Sequence, residues 1–442
     1  MKHKYFSLFY KLMTNIFFVF CYTAHAQVPQ IEVPRSATLT PNVIIGFPGK
    51  PSVGGNTYFN LHSKQVQNNE DVIKEVEANE KSRMALGKTQ INDYSIKHIS
   101  LPDFQNLSGT DCFRTARKEL TEMLQGKRKM SIKRAIFLTE NAYFGNKMNY
   151  QKYNAEIQNL KNICLLKMKD EGLNPNDDMA KKMMIFRVMT DVINVKEPGT
   201  EKTIIHYPMK YDFEDYAGNK ELSQLFVSKL LTKNSGQCHS MPLLFLILSE
   251  ELNTDAHLAF SPQHSFIKFQ DKEGRWYNAE LTRGALISDD SYMSSGFIKA
   301  EALKNKLYLD PLSKEQAIAH LLAELGRNYI RRYGYDGFVK ECLNTSLKYY
   351  SNDIYAYTIN ADYNTARAMY VIERCGMPSK KDLPRYPQAY ELYKKMHQSY
   401  AILDSLGYED MPADVYQNWL QQVEKEKVKP ENQLFPIKQI KK

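Results

Sequence analysis

Several features that mark common classes of function are missing from this 442-residue sequence. No glycine-rich loop follows a predicted strand, so nothing supports a site for nucleotide phosphates. Neither C-x-x-C nor H-E-x-x-H spacing occurs, which leaves no recognised zinc motif. Beyond the N-terminal segment, no stretch approaches the ~20 apolar residues that a membrane span needs. The sequence therefore predicts no cofactor, no metal and no integral membrane span in the mature chain.

A strong charge of either sign is also lacking. The 59 Lys and Arg and the 50 Asp and Glu give a net charge of +9, and three of the lysines lie in residues 1–26. Without that segment, 56 basic side chains face 50 acidic ones, and the net charge is +6. Because these charges are dispersed along the chain, we expect no nucleic-acid partner. The 43% hydrophobic and 25% charged content is typical of a globular protein with two or three structural units.

Residues 1–26 have the pattern of a secretory signal peptide. The segment starts with lysines, residues 12–22 are mostly apolar, and Ala24-His25-Ala26 is a small-x-small cleavage site. An uncleaved N-terminal anchor is the alternative. We predict an exported protein, periplasmic or secreted, whose mature chain begins at Gln27.

Cysteine usage fits that location. Loss of Cys21 with the signal peptide leaves five cysteines: Cys112, Cys164, Cys238, Cys342 and Cys375. In an oxidising compartment, an odd number leaves one thiol free or paired between chains, and we predict that this thiol is Cys238. The other four either form up to two disulfides or stay buried and reduced.

Hydrophobic patterning divides the rest of the chain into four segments. Residues 27–108 are a Pro- and Gly-rich arm followed by a charged helix. Residues 109–199 form a helical region of four amphipathic helices, the first capped by Asp111. Residues 200–310 combine an apolar helix with three strands, and residues 311–442 are helical again.

The last segment contains a repeated pattern. Leu325-Gly326-x-x-Tyr329 returns 34 residues later as Ile359-Asn360-x-x-Tyr363. This period and this character are typical of the tetratricopeptide repeat (TPR). We predict TPR-like helices after Pro311 that form a partner surface separate from the catalytic core; an ordinary helical bundle is the alternative.

The start of the apolar helix in residues 200–310 contains a candidate catalytic residue. Pro242 has no N–H and suits the first turn of a helix, which places Cys238 at or just before the helix N-terminus. The N–H groups there would lower the pKa of the thiol and hold a developing oxyanion, and Gly236 would let a substrate backbone approach. Cys238 is the candidate nucleophile, with Gln237 as a secondary candidate. An inert buried thiol is the alternative.

A cysteine nucleophile needs a base and a residue that orients the base, and these need only be close in space. His264 opens a predicted strand, and the next strand carries Trp276 and Glu280, with Thr282 after it. A zinc site is the weaker alternative for the same region, and its ligands would be Cys238, His239, His257 and His264.

Taken together, Gly-x-Cys at a helix start, a His opening a strand and W-x-x-x-acid-x-Thr resemble the transglutaminase-like, papain-fold superfamily. The resemblance covers about residues 200–310 and implies an α+β core in which a helix packs on an antiparallel sheet. It also implies Cys238 as nucleophile, His264 as base and Glu280 as the third catalytic member. Glu280 stands where Asp is usual, and His239 replaces an aromatic residue. Bacterial members similarly carry a helical repeat after this core.

The hairpin between the two strands decides whether Glu280 reaches His264. Asn278 and Glu280 have the same parity, so both project from one face of their strand. A loop of residues 272–274 with Gly274 in the left-handed conformation makes Glu280 the diagonal neighbour of His264, whereas an even-numbered loop would separate them. We predict the three-residue loop, with Glu280 orienting His264 and Asn278 as a secondary candidate.

These features predict acyl transfer through a Cys238 thioester on a peptide or protein substrate, either hydrolysis of peptide or amide bonds or transamidation. Hydrolysis is favoured because water is abundant and no amine-binding site is identified. The alternative is a transglutaminase-like fold that is catalytically weak or inactive and serves as a TPR-type scaffold. In that case the helices of residues 311–442 hold a protein partner.

Overall fold

Four helices open the described part of the chain. The computed structural model describes Lys74, residues 98–197, 199–200, 202–294 and 298–411, and Gln421. The predicted signal peptide, arm and charged helix lie outside these residues, apart from Lys74 and the last few residues of the 27–108 segment. The four helices have these bounds: α1, Thr110–Leu124; α2, Ile132–Tyr143; α3, Tyr150–Asp170; α4, Asp178–Thr190.

The first of these helices begins differently from the prediction. Gly109 precedes α1 with φ 90°, no side chain caps the helix, and Asp111 lies inside its first turn. The predicted Asp111 cap is wrong because a residue within the first turn has helical backbone angles and is not at the cap position. The next three helices do have side-chain caps, from Ser131, Asn149 and Asp177.

Short strands and one apolar helix form the middle of the chain. β1 and β2 pair antiparallel, whereas the two-residue strands β3 and β4 pair parallel. The bounds are as follows: β1, Ile193–Lys196; β2, Thr203–His206; β3, Lys210–Tyr211; α5, Val227–Lys233; β4, Ser235–Gly236; α6, Ser240–Glu251.

A four-stranded antiparallel sheet follows, with its strands in chain order. Helix α6 packs against it, and the rings of Phe245 in the helix and Phe269 in the sheet stack 6.4 Å apart. A helix packed on an antiparallel sheet confirms the predicted α+β class. The strands have these bounds: β5, His257–Ser261; β6, His264–Gln270; β7, Trp276–Glu280; β8, Ala285–Ile287.

The predicted hairpin register is confirmed. Lys268 of β6 pairs with Asn278 of β7, and the backbone N–H of Asp271 donates to the carbonyl of Arg275 at 3.1 Å. Gly274 has φ 78°, the left-handed conformation that the three-residue loop requires.

Helices complete the described chain. α9 packs lengthwise on α10, and α11 on α12. Tyr329 and Tyr363 are both buried, and Gly326 of α9 faces Cys342 of α10. The bounds are as follows: α7, Asp289–Met293; α8, Ala300–Lys304; α9, Lys314–Arg332; α10, Gly337–Tyr349; α11, Ile354–Arg374; α12, Pro387–Leu406.

The packing continues across the boundary predicted at residue 311. The N–H of Leu312 donates to the carbonyl of Leu258 in β5 at 2.8 Å, and α9 also packs on α1 and α2. One hydrophobic cluster contains side chains from α1, α6, the sheet and α9. The helices after Pro311 are therefore not separate from the core, because α9 is part of it. No helix in the described residues combines the length and apolarity that crossing a bilayer requires.

Candidate active site

Cys238 lies in the turn between β4 and α6, two residues before the helix begins. A Cβ at Gly236 would lie 2.5 Å from Oγ of Ser240, the oxygen that accepts the N–H of Gln237 at 3.1 Å. Glycine is required here by the turn itself, because any side chain would displace the serine that holds the backbone before Cys238. This contact explains Gly236 by the geometry of the turn. The predicted approach of a substrate backbone at Gly236 stays a prediction.

The Cys238 thiol lies against the first residues of β6. Oγ of Ser265 donates to the Cys238 carbonyl at 2.7 Å. This hydrogen bond ties the cysteine to the residue that follows His264. The turn before α6 and the start of the strand are thus joined at Cys238.

The predicted low pKa of Cys238 is wrong. The residue is only 1% exposed, and burial raises the pKa of its thiol well above the ordinary value, with a further rise from the negative charge of Glu280. The N–H of Ser265 acts in the opposite direction but does not outweigh these effects. The helix N-terminus therefore does not make Cys238 a resting thiolate, because the thiol is shielded from water and lies close to a carboxylate.

His264 and Glu280 are brought together as the register predicts. Nε2 of His264 donates to Oε2 of Glu280, and both side chains are buried. Nδ1 of His264 is also buried and has no hydrogen-bond partner among the described residues. One nitrogen of the ring is therefore fixed by a carboxylate, and the other is available to exchange a proton.

Three further groups hold Glu280. The N–H of Thr282 donates to Oε1 at 3.0 Å and its hydroxyl at 2.5 Å, while the hydroxyl of Tyr292 donates to Oε2 at 3.0 Å. Burial alone would raise the pKa of Glu280, but the charge and hydrogen bond of His264 and the bonds from Thr282 outweigh it and lower the pKa. Glu280 is therefore an ionised carboxylate, able to stabilise a charged His264.

The two secondary candidates differ in their surroundings. Both amide atoms of the Gln237 side chain are buried without a partner in the described part of the chain. The amide nitrogen of Asn278 instead donates to Oδ1 of Asp289 at 2.8 Å, beside Lys268. Gln237 keeps a free donor next to Cys238 in the chain, whereas the donor of Asn278 is used in a separate polar cluster.

Other histidines of the region are engaged elsewhere. Nδ1 of His239 donates to the carbonyl of Leu225 at 3.0 Å and Nε2 to Glu324, while Nδ1 of His257 donates to the carbonyl of Leu312 at 2.9 Å. Across the described residues, no three His, Cys, Asp or Glu side chains are grouped to hold a metal ion. The zinc alternative therefore has no support in this geometry. The cysteines Cys112, Cys164, Cys238, Cys342 and Cys375 are all free thiols.

Tyr292 and Glu324 were not among the residues that the sequence predicted for this region. Tyr292 lies on the short helix α7, and its ring stacks on Phe266 at 4.0 Å. Glu324 comes from α9, on the far side of the predicted boundary at residue 311. Thr282, by contrast, belongs to the predicted motif and shares the parity of Glu280.

Comparisons with protein-family models, with curated proteins and with solved structures find no match to this chain. The chemistry of the site therefore has to follow from its own side chains. A thiol, an imidazole with one free nitrogen and an ionised carboxylate are the groups that acyl transfer through a thioester needs.

Proposed function

We propose that the protein is an exported cysteine enzyme that cleaves or transfers acyl groups of peptides or amides through Cys238. The observation that carries this proposal is the state of His264, whose Nε2 is held by Glu280 while its buried Nδ1 is unpartnered among the described residues. Buried imidazole nitrogens are mostly hydrogen-bonded, so an unpartnered Nδ1 on a ring whose Nε2 is held by a carboxylate favours a role in proton transfer. We also propose that residues 200–310 are a transglutaminase-like, papain-fold core and that α9 to α12 are TPR-like helices.

The reaction begins with a neutral thiol. Nδ1 of His264 takes the proton of Cys238, and Glu280 stabilises the imidazolium that forms. The sulfur attacks the carbonyl carbon of the substrate, and Nε2 of Gln237 donates to the developing oxyanion. Collapse of this intermediate breaks the C–N bond, the amine leaves with the proton from His264, and a thioester remains on Cys238.

Water completes the cycle. His264 removes a proton from a water molecule, whose oxygen attacks the thioester carbonyl and displaces the sulfur. The products are a carboxylic acid and the restored thiol, with the proton returned to Cys238. Transamidation follows the same steps with an amine in place of water, and hydrolysis is favoured because no group in the described site is arranged to select an amine.

Thiol alkylation tests the proposal directly. We expect iodoacetamide at neutral pH to modify Cys238 faster than Cys375, which is half-buried and outside the site. His264→Ala should slow modification of Cys238 by about 10²-fold, as loss of a general base does, and leave Cys375 unchanged. Modification mapped by mass spectrometry, with Cys238→Ala as the blank, gives both rates.

A second function is favoured by the burial of the same thiol. At 1% exposure, Cys238 has no direct contact with solvent, and a substrate can reach it only after the site opens. A protein that never opens in this way would act as a binding scaffold. Absence of Cys238 modification in the folded protein, with Cys375 modified normally, would favour the scaffold and contradict the enzyme.

A further inference from the structure

Arg327 is a buried cation that forms no ion pair with a carboxylate of the described residues. It lies on α9 and is 4% exposed, yet its Nε and Nη1 have no hydrogen-bond partner in the described part of the chain. Two other partly buried arginines, Arg134 and Arg187, are paired with carboxylates, those of Glu119 and Glu171. Because a guanidinium stays charged in proteins, an unpaired one inside the fold is unfavourable unless an anion reaches it.

The nearest carboxylate on the same helix face is already used. Glu324 lies three residues before Arg327 and accepts Nε2 of His239, and Nε2 of His320 lies 3.4 Å from the same oxygen. Two imidazoles therefore share this carboxylate. Within the described residues, Glu324 forms neither a hydrogen bond nor an ion pair with Arg327.

A second unpartnered donor lies beside the guanidinium. Cζ of Arg327 is 5.9 Å from the ring centre of Tyr355 on α11. The Tyr355 hydroxyl is buried and also lacks a hydrogen-bond partner among the described residues. The face of the Tyr355 ring offsets part of the free-energy cost of burying the Arg327 charge. It does not accept the N–H donors that lie in the plane of the guanidinium. Donors from two helices thus remain available at one place.

This place lies next to the proposed active site. Glu324, one helical turn earlier on the same face, bonds to His239, the residue after Cys238. One turn later, Nη2 of Arg331 donates to the carbonyl of Asn219 at 2.7 Å. Arg327 is therefore on the stripe of α9 that faces the Cys238 turn and the chain before α5.

We infer that Arg327 and Tyr355 bind one carboxylate of the peptide substrate, an acidic side chain or a terminal carboxylate. A carboxylate has two oxygens with several lone pairs, so it can accept an N–H bond from the guanidinium and the O–H bond of the tyrosine together. Glu324, Asp353 and Asp362 place negative charge near Tyr355, and this charge repels a doubly charged phosphate more strongly than a singly charged carboxylate. Assignment of the ligand as substrate rests on the proposed function, whereas carboxylate binding itself does not.

Arginine-detected NMR in the full-length Cys238→Ala protein tests the binding without any turnover. The probes are N-acetylglutamate amide and its neutral analogue N-acetylglutamine amide. We expect the first to shift the Arg327 Nε–H signal saturably and the second to leave it unchanged. Arg327→Lys, which keeps the charge without the fork, should remove saturable binding, and Tyr355→Phe should weaken it several-fold. Equal effects of the two probes, or none from either, would overturn the inference.

A stability measurement distinguishes an external ligand from an acidic residue of the chain outside the described range. If Arg327 is unpaired in the free protein, Arg327→Met should raise Tm, because it removes an uncompensated buried charge. A fall in Tm of several degrees would show that Arg327 already has an anion and would overturn the inference. Neither result depends on alkylation of Cys238, so the proposed function stands or fails separately.

Discussion

Two buried histidine–carboxylate pairs lie on either side of Cys238 in the chain, one in the turn itself and one in the sheet, and they differ in one respect. In the pair of His264 and Glu280, Nδ1 of the imidazole has no partner in the described part of the chain. In the neighbouring pair, His239 uses both ring nitrogens, one toward Glu324 and one toward the Leu225 carbonyl. Beyond it, Nδ1 of His320 contacts Asp353 at 3.2 Å and continues the satisfied network.

The same two residue types, histidine and glutamate, therefore stabilise the fold in one pair and are available for chemistry in the other. A fully bonded buried network makes the fold rigid and specific, and its members have no capacity for a further proton or ligand. A buried group left without a partner weakens the fold and needs another reason to be present. By this criterion the Glu324 network joins α9 to the core, and the His264 pair is the candidate for catalysis.

The largest expected effect on the free energy of unfolding comes from removing the Glu324 carboxylate. Glu324→Ala leaves two imidazoles facing each other in the interior, and we expect a loss of about 3–5 kcal/mol in the free energy of unfolding. Urea unfolding followed by circular dichroism gives the value. His239→Ala is the matched variant, since it removes one partner and should cost less. A cost below about 1 kcal/mol for Glu324→Ala would break the comparison.

Changes to the proposed catalytic pair, His264 and Glu280, should change the rate at which Cys238 is modified. Glu280→Gln retains the shape of the side chain but removes the charge that stabilises a protonated His264, so we expect about 10²-fold slower modification of Cys238 near neutral pH. Asn278→Ala is the control, because the Asn278 amide bonds to Asp289 and not to His264. Alkylation rates of the two folded variants decide the matter. The reverse ranking would move the orienting role to Asn278.

The sequence was sufficient for the parts of the site that depend on local rules. Gly274 at the end of a three-residue loop, together with strand parity, predicted that Glu280 and not Asn278 reaches His264. The turn residues and the alternation of side chains contain that information because the hairpin is built from neighbours in the chain. The placement of Cys238 just before a helix followed in the same way from Pro242.

Contacts between residues that are far apart in the chain could not be predicted from the sequence. The pKa of Cys238 was predicted to fall because a helix N-terminus is visible in the sequence, whereas its burial and the nearby charge of Glu280 are not. The packing across residue 311 was hidden for a similar reason: the contact of Glu324 with His239 joins residues 85 positions apart. Only the folded chain shows which polar residues of α9 face the core.

Alkaline pH should weaken the hydrogen-bonded network around Glu324, because His320 loses its proton there. Burial alone would lower the pKa of His320, but the charges and hydrogen bonds of Asp353 and Glu324 outweigh it and raise the pKa to about 10. A raised pKa means that the stabilisation is fully present below about pH 6.5, the value of unfolded histidine, and is lost as pH rises toward 10.

Urea unfolding at pH 6, 8 and 10 measures this effect. The free energy of unfolding should fall across that range in the wild type and much less in His320→Gln, which cannot titrate. An equal fall in both proteins would assign the pH dependence to other groups and leave the charged state of the network without support.

The smallest effect concerns the residue that the sequence did not predict. Burial and the charge of Glu280 raise the pKa of Tyr292 well above its ordinary value, so its hydroxyl remains a donor to Glu280. Tyr292→Phe keeps the stacking on Phe266 and removes one of the hydrogen bonds to this carboxylate. We expect a loss of about 1.5–3 kcal/mol in the free energy of unfolding, because the acceptor is charged, and less than a tenfold change in Cys238 modification. Thr282→Val removes the other side-chain donor and is the matched comparison. If Tyr292→Phe slowed modification as much as Glu280→Gln does, the tyrosine would have to act on the reacting groups themselves and not only by holding Glu280.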